Sequence, residues 1–530
     1  MKICVNLRLP VILACSLATG AAAGLFFKMY QTELIWLTAF IPAAAIPIII
    51  LTAVLKSFKP LVFIILALLF LYAGALSCIL RLDTYDKTRL DVVKNRTYTV
   101  CGTVKEKSAF SGGEYIVITD ATADGARLGA DVIAYLAEGY GDFCDNGYKV
   151  KFLSSLKVFD TFEGGKLSYN AQSNIKYSCS VKGGLESEYS FSLFGEMRSA
   201  VRRTLFEHLE YETAAVCYGM LIGETAFIDG DAMDNFRYGG IAHIFAVSGL
   251  HIGIVFALIG FFLKKLKCNK YASAILCIFC VFFYAGVCCF TVSSLRAAIM
   301  CAVATLSRLA YTKYDGLNSL AAAVILLLFI NPLNLFSVGF QLSVCAVGGI
   351  FLFSKPLERI LCKIKIPQAL LKKLPSTKAK QFLGKLQIHP KIASACTISL
   401  SAQAGTLPVM LSAFGYLSGA SLVLNIIVVP LLSALFSVLF IVTMLCTAVA
   451  PVAAYILPLA TAPLDAVLSF LIGAGFEKSL ISGFGTGLFA PLYYIAVIFL
   501  SDKLNLKPLT RFVAFGCSLV LITVYVLAFA

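Results

Sequence analysis

Long apolar runs recur from one end of this chain to the other, each close to the ~20 residues that a helix needs to cross a bilayer. They lie near 9–27, 34–55, 60–80, 241–263, 271–289, 291–310, 317–330, 333–353, 392–413, 417–448, 451–475, 485–500 and 510–530. With 59% apolar residues, 14% charged residues and a mean hydropathy of +0.87, a soluble fold for the whole chain is excluded. Backbone at membrane depth must satisfy itself, so the runs predict a polytopic α-helical membrane protein of about 11–13 transmembrane or re-entrant helices. The run at 317–330 is short, and 417–448 is long, with a break expected around Asn425 and Pro430. Re-entrant or discontinuous helices are expected at both places.

Lysine and arginine set the orientation, because cytoplasmic loops carry the positive excess. Lys2 and Arg8, then Lys56 and Lys59, then Lys264, Lys265, Lys267 and Lys270, then Arg308 and Lys313 all fall on one side if every run crosses. The basic stretch 354–391 joins them, with Glu358 as its one acid. This places the N-terminus in the cytoplasm and 81–240 outside. Much of the +15 net charge is this topology signal. The 354–391 stretch either serves orientation and anionic lipid alone or also meets nucleic acid or a cytoplasmic partner. The first run, with Ala21, Ala22 and Ala23 near its end, has some character of a signal peptide, but it is expected to stay as a span.

Between the third and fourth runs the texture changes to alternation and turns. Strands are expected over Tyr98 to Lys105, Tyr115 to Asp120, Asp131 to Leu136, Tyr148 to Val158 and Asn174 to Val181, separated by Gly-rich turns such as Asp124-Gly125 and Asn146-Gly147. Five short strands suit an inserted extracytoplasmic small β-barrel, OB-like, over 95–182, a fold that commonly binds oligonucleotides. Tyr98, Tyr115, Tyr135 and Tyr148 could stack on bases or merely pack. Segments 1–80, 189–240 and 241–530 then read as N-terminal transmembrane helices, amphipathic surface helices and a transmembrane domain. In the amphipathic stretch Phe191 to Leu209, apolar Phe194, Val201 and Leu205 face away from Glu196, Arg198, Arg202 and Arg203. Cys101, Cys144 and Cys179 could supply one disulfide. Cys277 and Cys280 form a C-x-x-C inside a span with no histidine nearby, so no metal or other cofactor is expected.

Polar residues inside the apolar runs mark the working region, because burying them costs several kcal/mol unless they line a cavity or find partners. His243, Ser248, Gly249, His251 and Gly253 lie in one run, with Ser248 and His251 three apart as if on one helical face. Ser293 and Arg296, Gln341 and Ser343, Gln403 and Thr406, and Asn425 occupy four more. Each has two readings: the hydroxyls, amides and histidines could bond between helices, the glycines could be packing notches, and Arg296 could be a structural anchor rather than a ligand contact.

The order of these motifs resembles the ComEC/Rec2 family of competence proteins. Gly219 to Glu224 is followed by Gly240, Ile241 and H-I-F-A-V-S-G-L-H-I-G over His243 to Gly253. Then come Ser293 to Ala297, Asp315 to Asn318, Asn331-Pro332, Val338 to Ser343, Ser401 to Gln403, Thr406 to Pro408, Phe414-Gly415, and Asn425 with Pro430. The family's proline and valine in P-S-V-L-R-A are Val292 and Ser294 here. The resemblance implies a channel for uptake of single-stranded DNA across the cytoplasmic membrane in natural transformation. It also implies an exterior competence DNA receptor and a cytoplasmic helicase-like ATPase as partners. Many members continue into a metallo-β-lactamase-like domain. With no H-x-H-x-D signature, and with His208, His243, His251 and His389 as its four histidines, this chain is expected to be a short form, not an enzyme, leaving strand degradation to a possible separate nuclease.

The channel reading uses His243, Ser248, Gly249, His251, Gly253, Ser293, Arg296, Gln341, Ser343, Gln403, Thr406 and Asn425 as a DNA path. The alternative is a secondary transporter for a small anionic solute, whose broken helices would carry similar polar residues. An intramembrane hydrolase using Ser248 and His251 is disfavoured, because no G-x-S-x-G elbow surrounds the serine. No P-loop sequence occurs.

Overall fold

The computed structural model describes residues 9–29, 58–87, 96–110, 113–137, 147–163, 166–181, 184–361, 390–418, 420–448, 450–473, 480–482 and 493. The runs expected at 34–55, 485–500 and 510–530, most of the basic stretch 354–391, and Cys144 lie outside the described residues.

Two long helices, α1 (Leu9–Met29) and α2 (Phe58–Lys87), open the fold. They touch backbone to backbone: a Cβ on Gly20 would strike the Leu71 carbonyl, and one on Gly74 would strike that of Leu17. Lipid tails give apolar helices no hydrophobic reason to associate, so this close approach through small residues supplies the contact. The end of α2 carries the sheet. Tyr85 donates to the Ile175 carbonyl at 2.7 Å, Thr161 donates to Asp86 at 2.6 Å, and Lys28 pairs with Asp83 at 2.5 Å and Asp86 at 3.1 Å.

The sheet is built from β1 (Thr97–Phe110), β2 (Gly113–Ala123), β3 (Ala126–Arg127), β4 (Asp131–Leu136), β5 (Lys149–Ser155) and β6 (Lys157–Val158). The short strands β7 (Phe162–Glu163) and β8 (Lys166–Leu167), helix α3 (Tyr169–Gln172), and strands β9 (Ile175–Val181) and β10 (Glu186–Glu188) complete it. Its order is β10-β5-β1-β2-β4-β9-β6, with β4 and β9 parallel, β3 pairing β2, and β7–β8 a separate hairpin. The alternating burial of β5, with Val150, Phe152 and Ser154 inside, is the period-2 pattern of a strand with one covered face. Segment 149–158 touches both ends of the order, β5 pairing β1 and β6 pairing β9. All five expected strands form, the one over Tyr148 to Val158 split into β5 and β6, and β3, β7, β8 and β10 are additions. Cys101 and Cys179 are free thiols.

Helix α4 (Leu193–His208) leads from the sheet into α5 (Tyr211–Ile222) and α6 (Gly230–Tyr238). It does not leave its apolar face bare for a membrane surface: Val201 and Leu205 enter the main apolar core, and Arg198, expected on the polar side, is buried with them. Residues 214–222 of α5 are all buried.

The helical body continues through α7 (Gly249–Lys265), α8 (Lys270–Val287), α9 (Val292–Leu309), α10 (Gly316–Ile330), α11 (Val338–Leu361), α12 (Pro390–Phe414), β11 (Tyr416–Ser418), α13 (Ser421–Ala448), α14 (Ala450–Gly473) and β12 (Leu480–Ser482). The main core joins α4 to α9 with α13 and α14, and a second core joins α1, α9, α10 and α11. Among the described residues six helices are long and apolar enough to cross a membrane: α1, Ile65–Lys87, α8, α9, Val338–Arg359 and Leu424–Thr447. Gly316–Ile330 and Tyr455–Leu468 are shorter apolar helices.

Two expectations are corrected. The break expected around Asn425 and Pro430 does not occur: α13 runs through both, because a proline in a bundle kinks or loosens one turn without ending it, while α10 is the short helix expected over 317–330. The run 241–263, conversely, is not one helix. A 3-10 turn at Ala242–Ile244 and an irregular link precede α7.

Candidate polar site at the start of α7

The break before α7 follows from its residues. Ser248 takes extended backbone angles and caps the helix, its Oγ accepting the Leu250 amide at 3.3 Å. His251 bends back so that its Nδ1 accepts the Ser248 amide at 3.2 Å, which puts the proton of the neutral ring on Nε2. Ser248 and His251 therefore form a cap, not a stripe along one helical face. Ser248 Oγ is 3.5 Å from Nδ1 and accepts the Leu250 amide, so both side chains serve the start of α7. The buried His251 ring packs on Phe436 of α13 at 4.4 Å between centroids, a partner that sequence spacing could not reveal.

Against this cap lies Arg296. It sits in the second turn of α9 and is only 4% exposed. Its Nη1 donates to the Ser343 carbonyl of α11, and its Nε is buried with no partner. A Cβ on Gly249 would come within 2.9 Å of Nη2, so the missing side chain is what lets the guanidinium rest on the first residue of α7. Ser293 and Ser343 hydroxyls meet at 3.0 Å and hold α9 to α11 beside it. Among the described residues no carboxylate pairs with Arg296. A buried cation next to the positive end of a helix, with no acid between them, is an arrangement that an anion would relieve.

The remaining residues are more scattered. Gly253, one turn beyond Gly249, faces open space, with nothing within 4 Å of an added Cβ. His243 is exposed, its Nδ1 3.2 Å from the Gly240 carbonyl oxygen. Gln341 donates to the Leu335 carbonyl at 3.0 Å, a local tie at the start of α11. On α12, Thr406 donates back to Ala402 at 3.1 Å, while Gln403 Nε2 is buried without a partner; on α13 the same is true of Asn425 Oδ1. The structure thus joins Ser248, Gly249, His251, Ser293, Arg296 and Ser343, and leaves Gln403, Thr406 and Asn425 on other helices. Close crossing of α11 and α12 at Gly349 and Gly405 brings the α12 group up to α11.

A second buried cation escaped the sequence reading. Arg198 of α4 is 7% exposed, donates to Cys289 Sγ at the α8–α9 turn, and has a buried, unpartnered Nε. Glu224 lies within electrostatic reach of it, accepts from Tyr218 at 3.3 Å, and has its carboxyl pushed up to about 7 by burial, against the pull of Arg198 and Arg202. Its place within Gly219 to Glu224 was the available signal.

The Competence protein family profile matches residues 220–500, which contain Glu224, the α7 cap, Arg296 and Ser343, while Arg198 and Tyr218 precede the matched range. ComE operon protein 3 of Bacillus subtilis is 26% identical over 219 residues, 41% of this chain and 25% of that protein. Recombination protein 2 of Haemophilus influenzae is 27% identical over 168 residues, 29% of this chain and 21% of that protein. The matches span about a quarter of the length of these relatives. No solved structure matches. Ordered motifs, apolar helices and a family match over more than half of its length make this chain a member of the ComEC/Rec2 family of competence proteins.

Proposed function

We propose that the helical body conducts single-stranded DNA across the cytoplasmic membrane in natural transformation. The observation that carries this is Arg296, a buried guanidinium facing the positive end of α7 with no acid between them. A phosphate passing this point would run along the open face of Gly253 toward the guanidinium that rests on Gly249, and would leave again because no second fixed charge traps it. Membership of a competence family favours a nucleic acid over a small anionic solute as the occupant.

The sheet is proposed to be a small OB-like barrel outside the membrane. Support comes from the shared segment 149–158, which pairs β1 at one end and β9 at the other, and from the parallel β4–β9 pair. The positive-inside pattern supports a cytoplasmic N-terminus. In this reading the chain is a conduit, not an enzyme. An exterior DNA receptor delivers the strand, a cytoplasmic helicase-like ATPase draws it in, and a separate nuclease removes its complement.

Photocrosslinking during uptake tests the path. A crosslinking residue at Gly253 should trap incoming DNA, whereas one at Ile275, 70% exposed on the outer side of α8, should not. Uptake that proceeds with equal trapping at both positions, or with none at Gly253, would remove α7 from the route.

A further inference from the structure

A cleft of about 280 Å³ lies where the sheet meets α4, well separated in sequence from the α7 cap. It is bounded by Tyr148 at the start of β5, by Tyr189 in the link after β10, and by Glu196, Ser199, Arg202 and Arg203 along one side of α4. The helical spacing explains the lining: 196, 199 and 203 recur at intervals of three and four and share a face, with 202 beside them. Gly147, with φ +95°, brings the strand up to Ser192, the α4 cap; a Cβ there would come within 2.7 Å of the serine side chain.

The chemistry of this lining is selective. Tyr148 and Tyr189 meet edge to face at 5.6 Å between centroids, and Tyr189 keeps 54% of its surface exposed in the cleft lining. Tyr189 also donates to Glu196 at 2.7 Å, which engages the one acid of the lining and fixes the ring. Arg203 is exposed and makes no ion pair among the described residues. On the neighbouring strand the situation is reversed: Lys149 and Lys151 of β5 face Glu188 and Glu186 of β10, and Lys151 pairs with Glu186 at 2.9 Å. Positive charge is thus paired on β5, whereas Arg203 brings an exposed cation to the cleft.

We infer that this cleft binds the sugar-phosphate backbone and one base of a single DNA strand, phosphate toward Arg203 and base on Tyr189. The volume is near the lower end for ligand pockets, ~300 Å³, which suits one nucleotide of a chain that enters and leaves through the open side. A ring face paired with a cation is the combination by which single strands are held without regard to sequence. An anionic lipid headgroup would need the cations but has no use for the exposed ring. The inference rests on the DNA-conduit reading and gives the strand a station between the sheet and the helical body.

The test is anisotropy of a fluorescent oligothymidine with the full chain in nanodiscs of neutral lipid, across a salt series. Tyr189→Ala should weaken binding roughly tenfold, and Tyr189→Phe should leave it nearly intact, because the ring and not the hydroxyl carries the contact. Arg203→Ser should weaken binding and lower the slope of log Kd against log salt by about one, and Arg203→Lys should restore most of both. Unchanged affinity and slope in Tyr189→Ala and Arg203→Ser, with strong binding by the unaltered protein, would overturn the cleft and leave the conduit standing. Failure of the unaltered protein to bind the oligonucleotide would overturn both. Loss of binding to phosphatidylglycerol vesicles in Arg203→Ser, with oligonucleotide binding unchanged, would assign the cleft to lipid and also overturn the proposal.

Discussion

In the sheet, Arg96 reaches Asp124 at 3.1 Å, Lys105 reaches Asp131 at 2.7 Å, and Lys107 reaches Glu114 at 3.3 Å. In the helical body, Arg198 and Arg296 are buried deeper than Arg96 or Lys105, yet no carboxylate stands within pairing distance of either among the described residues. The buried side-chain atoms without hydrogen-bond partners follow the same division. Among the described residues all belong to the stretch from Arg198 to Thr443, and none to the sheet of β1 to β10. A surface sheet can leave such groups to water, whereas a membrane core cannot, so unmet donors at that depth mark places where a ligand or a wet path completes the structure. The difference teaches where to look: the sheet pairs its cations with carboxylates, and the helical body holds two buried guanidiniums against carbonyl and sulfur instead.

The largest expected effect breaks the comparison at its sharpest point. Arg296→Ala and Arg296→Gln should each lower DNA uptake by about a hundredfold or more, the range expected when a desolvated charge contact is lost. Arg296→Lys should keep part of it, because the charge remains while the planar fork is gone. Membrane levels should stay the same in all three. If the guanidinium only anchors α9 to the Ser343 carbonyl, protein level and uptake will instead fall together. Ser248→Ala should cost little, since it removes one cap bond at Leu250 and no nucleophile.

The two regions were not equally legible. Strands at 98–105 and 131–136 could be read because alternation and turn residues are local signals, and β4 begins and ends at Asp131 and Leu136 as expected. Helix positions were legible for the same reason, in that apolar length alone places α1, α8 and α9 within a few residues. The α7 break was not, because a capping serine inside an apolar run looks like one more residue of a span. The fate of Arg198 was hidden for another reason. Periodicity sets a residue on a helix face, but which faces are covered depends on α5, α8 and α13, and that is settled by tertiary packing. Pairings such as His251 with Phe436, 185 positions apart, leave no trace in spacing at all.

Packing gives the next effect in size. At Gly405 a Cβ would overlap the Cys345 carbonyl, so Gly405→Val should cost about 3 kcal/mol or more and deplete the protein from the membrane. In the sheet, Gly125 has nothing within 4 Å of an added Cβ but holds φ at +83°, so Gly125→Ala should cost only ~1 kcal/mol, through backbone strain alone. Equal losses of membrane protein from the two variants would show that the helical crossing is looser than its backbone contacts require.

A smaller and pH-dependent effect sits at the junction. Glu224 titrates near 7 in the folded chain against 4.5 for an ordinary glutamate, so the folded state holds this proton more tightly than the unfolded state. Its contribution is fully present below pH 4.5 and is lost as pH rises toward and through 7. Glu224→Gln should therefore flatten the fall in melting temperature between pH 5 and pH 8, with its largest gain over the unaltered chain at the alkaline end. A steeper fall in the variant would mean that Arg198 and Arg202 outweigh burial and that the carboxylate is charged throughout.

The smallest expected effect is at Arg96, and its size is what makes the comparison quantitative. Arg96 is a surface cation: it pairs with Asp124, and its guanidinium lies 5.1 Å from the Tyr98 ring centroid. With a side chain 59% exposed, it exchanges these partners for water at little cost, so Arg96→Ala should remove only ~0.2–1 kcal/mol. Hydrogen exchange on β1 and β2 in the full chain would register this as a protection loss of less than about fivefold, since ~1 kcal/mol is a factor of that order. The Thr99 amide gives an internal check: it donates to the other Asp124 oxygen at 2.9 Å and should stay protected when Arg96 is removed, because its acceptor remains. Should Arg96→Ala instead abolish uptake as Arg296→Ala is expected to, without loss of β1–β2 protection, the surface of the sheet would itself be handling DNA phosphate. The contrast between a self-satisfied sheet and an incomplete helical body would then have to be redrawn around a strand that begins its contacts at β1.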